Sequence, residues 1–246
     1  MGALQAGLRV LSRSPMAEPR QQRTGAGCLS KLLFLVLLAA ALGLGSAIFQ
    51  ALQPQDLTDL GGYGPTAKAL PVREVKVVLK NAIDRGYPVT LSEAEINQWL
   101  ARTLVTRQAG FLEGKVTLDR VWVRLQDGLA EVVMERHFLG KPFTVSMFLQ
   151  IERVEGMDGV ATEIELHGGA YHPDFPQPPQ GGRFGKLIVP QGFLILVMPA
   201  YQKLAALFPE EIELAFREMS QIKIENNQIV LDPRTTSGSD GLPQTF

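Results

Sequence analysis

The chain predicts an α+β fold: an N-terminal membrane-crossing helix, then an antiparallel β-meander packed against helices. Three observations predict it. An uncharged apolar run extends from Leu32 to Phe49. Between residues 115 and 166, apolar and polar residues alternate with a period of two, interrupted by short turn signals. On both sides of that block, apolar residues recur at helical spacing. The expected divisions are a disordered basic tail over 1–31, an anchor over 32–52, a linker over 53–70, one extracytoplasmic domain over 71–232 and a loose tail over 233–246.

From Leu32 to Gln55 no residue is charged. As a helix, residues 32–49 span roughly 27 Å, close to the hydrocarbon core of a bilayer. A helix satisfies its own backbone hydrogen bonds, so the segment can cross lipid alone. Arg9, Arg13, Arg20, Arg23 and Lys31 precede it against one acid, Glu18, whereas Asp56 and Asp59 follow it. The asymmetry predicts a cytoplasmic N-terminus and a domain outside the inner (cell) membrane. A cleaved signal peptide is the alternative, because Gly45, Ser46 and Ala47 offer small residues to a peptidase. The long basic region and long apolar run favour a retained single-pass anchor. Cys28, the only cysteine, precedes the run as a solitary thiol or an acylation site. With one cysteine, the exported domain must hold itself together by its core.

The first helix is expected over 71–85. Val72, Val75, Val78, Leu79, Ala82 and Ile83 share one face, and Gly86 offers a stop. Residues 87–91 should run extended. A second helix should start at Ser92, where Ser92 and Glu95 have capping-box spacing. Its stripe is Ile96, Trp99, Leu100, Thr103 and Leu104, with Asn97 and Gln98 at the surface or an edge. In the meander, Val121, Val123 and Leu125 alternate with Trp122 and Arg124, and a phase shift predicts a bulge near Asp119 and Arg120. Asp127-Gly128 is a hairpin signal. Strands follow over 129–138, 143–152 and 160–166, leaving one apolar sheet face for something to cover. Residues 167–190 form a long, proline-rich loop, the kind that often serves as a flap. A helix over 191–208 should kink at Pro199 and lie across the apolar face. A helix over 210–219 and a hairpin turning at Asn226-Asn227 complete the domain.

Net charge is −1, and no basic stripe follows the anchor, which argues against nucleic acid as a partner. The sequence holds no phosphate-binding glycine loop, serine nucleophile elbow or paired-cysteine metal motif. Of three histidines, His137 lies in a strand, while His167 and His172 flank a glycine pair with Asp174 beyond. Two imidazoles and a carboxylate can bind zinc, but this spacing fits no regular element, and a plain loop is the expectation. Glu163 and Glu165 alternate onto the solvent face. No catalytic residue, metal ligand or cofactor site is assigned. The apolar surplus points instead to a groove between the C-terminal helix and the sheet, formed by Met147, Leu149, Ile151, Phe193, Leu194, Leu196, Val197 and Tyr201. A lipid or acyl chain would fit it, and Leu196→Asp would then abolish binding.

The segments Thr90-Leu91-Ser92-Glu93-Ala94-Glu95-Ile96-Asn97-Gln98-Trp99-Leu100 and Gly185-Lys186-Leu187-Ile188-Val189-Pro190, in the order anchor, linker, helix, meander and apolar helix, resemble the YpmS-type family. These are membrane-anchored extracytoplasmic bacterial proteins. The helix–meander–helix order is similar, more remotely, to the tubular lipid-binding (TULIP) superfamily, which wraps a curved sheet around a long helix. That resemblance implies a half-tube holding lipid and brings no catalytic residues. The expected function is therefore non-catalytic binding of lipid or another apolar envelope component. A scaffold binding an envelope protein partner is the alternative, and an envelope hydrolase ranks last because no nucleophile–base pair can be named.

Overall fold

The computed structural model describes residues 26–64, 70–71, 73–108, 118–138, 141–156, 159–171 and 178–234. The chain divides into one unit ending at Leu44 and a second starting at Gly45. Helix α1 covers Ala26–Leu52, so it begins several residues before the expected anchor. Its 29–52 stretch is long and apolar enough to cross a membrane, with mean hydropathy 2.6 and none of it buried. Length and composition of this kind serve an anchor and a signal segment alike.

In the second unit the fold is mixed α+β with two antiparallel sheets. Helix α2 (Val75–Arg85) starts later than expected and buries Leu79 and Ala82. It stops at Gly86, whose φ of 64° is left-handed and frees its N–H for the Ile83 carbonyl. Strand β1 (Val89–Ser92) leads directly into helix α3 (Glu93–Gln108). The capping box forms: the Ser92 amide donates to Glu95 Oε2 (2.9 Å), and the Glu95 amide to Ser92 Oγ (3.3 Å).

Strands β2 (Arg120–Gln126), β3 (Leu129–Phe138), β4 (Lys141–Gly156) and β5 (Gly159–Glu165) make the predicted meander. The β2–β3 register is unbroken from Arg120 to Gln126, and the predicted irregularity falls at its start: the Asp119 amide donates to the carbonyl of Glu135 (3.1 Å), the residue that Arg120 already faces, so two residues oppose one. Within the flap expected over 167–190, residues 180–184 and 187–190 are strands. Strands β6 (Gln180–Phe184) and β7 (Leu187–Pro190) form a hairpin, and β6 pairs with β4. Gly182 permits this, because a Cβ there would lie 1.9 Å from the Ser146 carbonyl oxygen. The sheet order is β2-β3-β4-β6-β7, with β5 also on β4. His172 and Asp174 lie outside the described residues.

The single kinked helix expected over 191–208 is two elements. A 3-10 turn covers Gln191–Leu196, and helix α4 covers Met198–Ala205 with Pro199 in its first turn. Proline lacks the amide an interior position needs, so the break comes before it. Helix α5 (Pro209–Phe216) is followed by β8 (Gln221–Glu225) and β9 (Gln228–Asp232). Their turn uses Asn226 and Asn227 at φ 52° and 56°, as expected of asparagine. That hairpin does not stand alone: β1 pairs with β9, giving a second sheet, β1-β9-β8.

Helix α4 does cover the apolar sheet face. Leu194, Tyr201, Leu204 and Phe208 pack on Val121, Met134, Val145 and Met147. A second cluster joins Leu79, Ala82, Val89, Leu91, Ile222 and Leu231 beneath the smaller sheet. The other face of the larger sheet is covered as well. Leu57 and Leu60 bury against Trp122 and Val133, and Tyr63 meets Trp122 edge-on at 5.0 Å. Residues 53–64, expected as a linker leading away, are thus part of the domain.

Candidate functional site

A cavity of about 300 Å³ lies where the two core clusters meet. Its walls come from both sheets and four helices. The larger sheet contributes Val121, Val123, Val132, Met147 and Leu149; the smaller contributes Leu91, Ile229 and Leu231. Leu79 projects from α2, Ile96, Trp99 and Leu100 from α3, Tyr201 and Leu204 from α4, and Ile212, Ala215 and Phe216 from α5. Trp99 and Phe208 pack at 5.2 Å between ring centres. Period-two alternation turns the strand residues inward, and helical stripes turn theirs toward the same space. Two lining residues, Ala205 and Phe216, are also exposed, so the wall reaches the surface beside α5. Lys76 of α2 pairs there with Glu210 of α5.

Among the lining residues Glu211 and Tyr201 carry a side-chain oxygen, and Trp99 adds its indole N–H. The Tyr201 hydroxyl is turned to the sheet backbone, lying 2.9 Å from the Val132 carbonyl and 3.1 Å from that of Val145. Burial, and then the negative charge of Glu131, push its pKa well above the ordinary phenol value. The surface offered to an occupant is therefore hydrocarbon and aromatic ring, which suits an apolar chain. Among the described residues no histidine or second carboxylate shares the cavity wall with Glu211 or Tyr201.

The structure brings together only part of the predicted groove. Met147, Leu149 and Tyr201 line the cavity. Leu194 is buried and Val197 half-buried in the core cluster, neither on the cavity wall. Ile151 packs beside Leu125, Ala130 and Ile224. Phe193 and Leu196 face outward, 51% and 69% exposed, because the 3-10 turn rotates successive side chains by a different angle than the expected α-helix. The missed lining residues are mainly Leu79, Ile96, Trp99, Ile212 and Phe216. Their helical stripes were legible as buried, but nothing local says that several stripes face one space.

A polar cluster occupies the opposite face of the larger sheet. Arg124 donates to Glu131 Oε2 (2.7 Å), to Asp59 Oδ1 (2.9 Å) and to the Asp56 carbonyl (2.9 Å). Burial lowers the Arg124 pKa, but Glu131 and then Asp59 more than offset it, and the net shift is upward. Glu93 accepts from the Leu125 amide (2.7 Å) and the Gly61 amide (2.6 Å). Asn97, expected at the surface or an edge, is fully buried and bonds both Val123 and Gly61. His137 pairs with Asp119 at 2.8 Å and His167 with Glu165 at 2.5 Å. Among the described residues no three His, Cys, Asp or Glu side chains gather as a metal site.

Compared with family models, curated proteins and solved structures, the chain matches none.

Proposed function

We propose that this is a single-pass membrane protein whose C-terminal domain, outside the cytoplasm, holds a lipid tail or similar apolar envelope component without catalysis. The observation that carries the reading is the cavity of about 300 Å³ with walls of aliphatic and aromatic side chains. That volume is at the lower end of ligand pockets, which run from about 300 to 1,000 Å³, so one chain rather than a whole diacyl lipid is the expected occupant. The apolar α1 and the bases that precede it support inner-membrane placement with the N-terminus inside. Likeness to the YpmS-type family and to the tubular lipid-binding superfamily belongs to the same proposal. An apolar space between sheet and helices supports it, although the interrupted 191–205 segment departs from the superfamily's long helix. Access would run beside α5, past Ala205 and Phe216, rather than through a flap over 167–190, which is tied into the sheet by β6.

The test is native mass spectrometry of residues 50–246, purified without detergent, followed by solvent extraction. A bound mass that extracts as lipid supports the reading. A clean apo mass, with no uptake from added vesicles, overturns it and favours the scaffold alternative.

A further inference from the structure

We propose that the 3-10 turn Gln191–Leu196 dips its exposed side chains into the interfacial layer of the same bilayer that α1 crosses, at the leaflet where α1 ends. Ile195 (76% exposed) and Leu196 (69%) are the most exposed large hydrophobic residues outside α1 among the described residues, and Phe193 (51%) stands beside them. The turn is not a loose loop. Leu194 between them is 2% exposed in the core, and the Gln191 amide donates to the Pro179 carbonyl (2.9 Å). The fold therefore holds three large apolar side chains outward on a fixed base, the arrangement of an interaction surface rather than of an accident.

Two further observations choose a bilayer as the occupant. The first is position. The turn before β7 lies against the last residues of α1: the Lys186 amide donates to the Gln50 carbonyl (3.0 Å), and a Cβ on Gly185 would fall 2.2 Å from the Gln53 carbonyl oxygen. Strand β7 is all that separates Lys186 from Gln191, so the turn begins within about 17 Å of the point where the apolar helix ends. The second is charge. From Phe175 to Pro209 there is no acidic residue, against Arg183, Lys186 and Lys203. Lys186 and Lys203 are exposed on either side of the apolar turn. Apolar side chains flanked by bases suit the boundary between acyl chains and anionic headgroups. The proposal rests on α1 as a membrane anchor and is independent of what the cavity holds.

The test uses the full chain with Cys28→Ser, labelled with a nitrobenzoxadiazole fluorophore at a single introduced cysteine. The positions are Leu196→Cys, Ile48→Cys in α1 and Lys223→Cys on β8. Each is reconstituted in phosphatidylcholine–phosphatidylglycerol vesicles with or without lipid carrying a nitroxide high on its acyl chain. Emission from position 196 is expected to fall at least twofold with the nitroxide, as at 48, while 223 stays unchanged. Quenching at 48 but not at 196 overturns the proposal and leaves the anchor standing. A blue-shifted, unquenched label at 196 also overturns it, because a protein surface, such as a second copy, then covers the turn. No quenching at 48 removes the anchor and the proposal together, whatever the cavity binds.

Discussion

Asn97 clamps the backbone of Val123: its Nδ2 donates to the Val123 carbonyl (2.9 Å), and its Oδ1 accepts from the Val123 amide (2.7 Å). Strand β2 ends the order of the larger sheet, so among the described residues no further strand pairs with its outer backbone groups. One turn earlier on α3, Glu93 accepts from the Leu125 amide (2.7 Å), the next group along that edge. A helix thus supplies, through two side chains, the partners that another strand would have supplied, and blocks edge pairing with other chains.

Asn97→Leu should therefore be severe. Each backbone group left buried without a partner costs about 1–3 kcal/mol, so a total loss of about 3 kcal/mol or more is expected. Urea unfolding measures it. A loss within about 0.5 kcal/mol, the range of an ordinary surface substitution, would show that water replaces the amide freely.

Residues 53–64 should be indispensable to the folded domain. Burial of Leu57 and Leu60 contributes about 1.5–3 kcal/mol each, and Arg124 would lose its contacts with Asp56 and Asp59. A fragment starting at residue 66 is expected to aggregate or to unfold without a cooperative transition. One starting at residue 50 should melt cooperatively in calorimetry.

The capping box should carry a pH-dependent share of stability. Burial raises the Glu95 pKa, but the Ser92 amide, the Ser92 hydroxyl and Arg73 outweigh it, and the carboxyl stays below its ordinary value. A carboxyl depressed in the folded state stabilises above its unfolded pKa of about 4.3, and that contribution is lost as pH falls through the folded value. Ser92→Ala should cost about 1 kcal/mol at pH 7. The gap to wild type, read from urea midpoints, should narrow below about pH 4.

Tyr201 should be the last tyrosine to ionise. Its pKa is raised in the fold, so its contribution is complete below the unfolded value of about 10 and is lost as pH rises beyond it. In an ultraviolet titration, one of the four tyrosines should ionise only together with alkaline unfolding. Tyr201→Phe should delete that phase and cost about 1 kcal/mol.

Cavity and exterior should separate cleanly by mutation. Ala215 lines the cavity, so Ala215→Phe should reduce uptake of a fluorescent acyl probe at least about tenfold, or about 1.4 kcal/mol, with the domain still folded. Leu196 is exposed and off the cavity wall, so Leu196→Asp should leave uptake by residues 50–246 unchanged. The reverse pattern would move the binding site to the 3-10 turn.

Periodicity and local capping were sufficient for much of this chain. The apolar α1, strand β3 over Leu129–Phe138, the Ser92–Glu95 cap and the Asn226-Asn227 turn are all local matters. Each depends on residues within a few positions of one another, so sequence alone determines it. Local pattern did not reveal that β6 would dock on β4, because the signal there is Gly182 making room for the Ser146 carbonyl, a contact distant in sequence. Nor did it reveal that a polar Asn97 would be fully buried, since its partners Gly61 and Val123 come from either side along the chain. The same holds for the cavity. The sequence determined which residues are apolar and which face of each element they occupy. Only the tertiary structure decided that faces from two sheets and four helices enclose one space, because that depends on how packed elements meet and leaves no period in the chain.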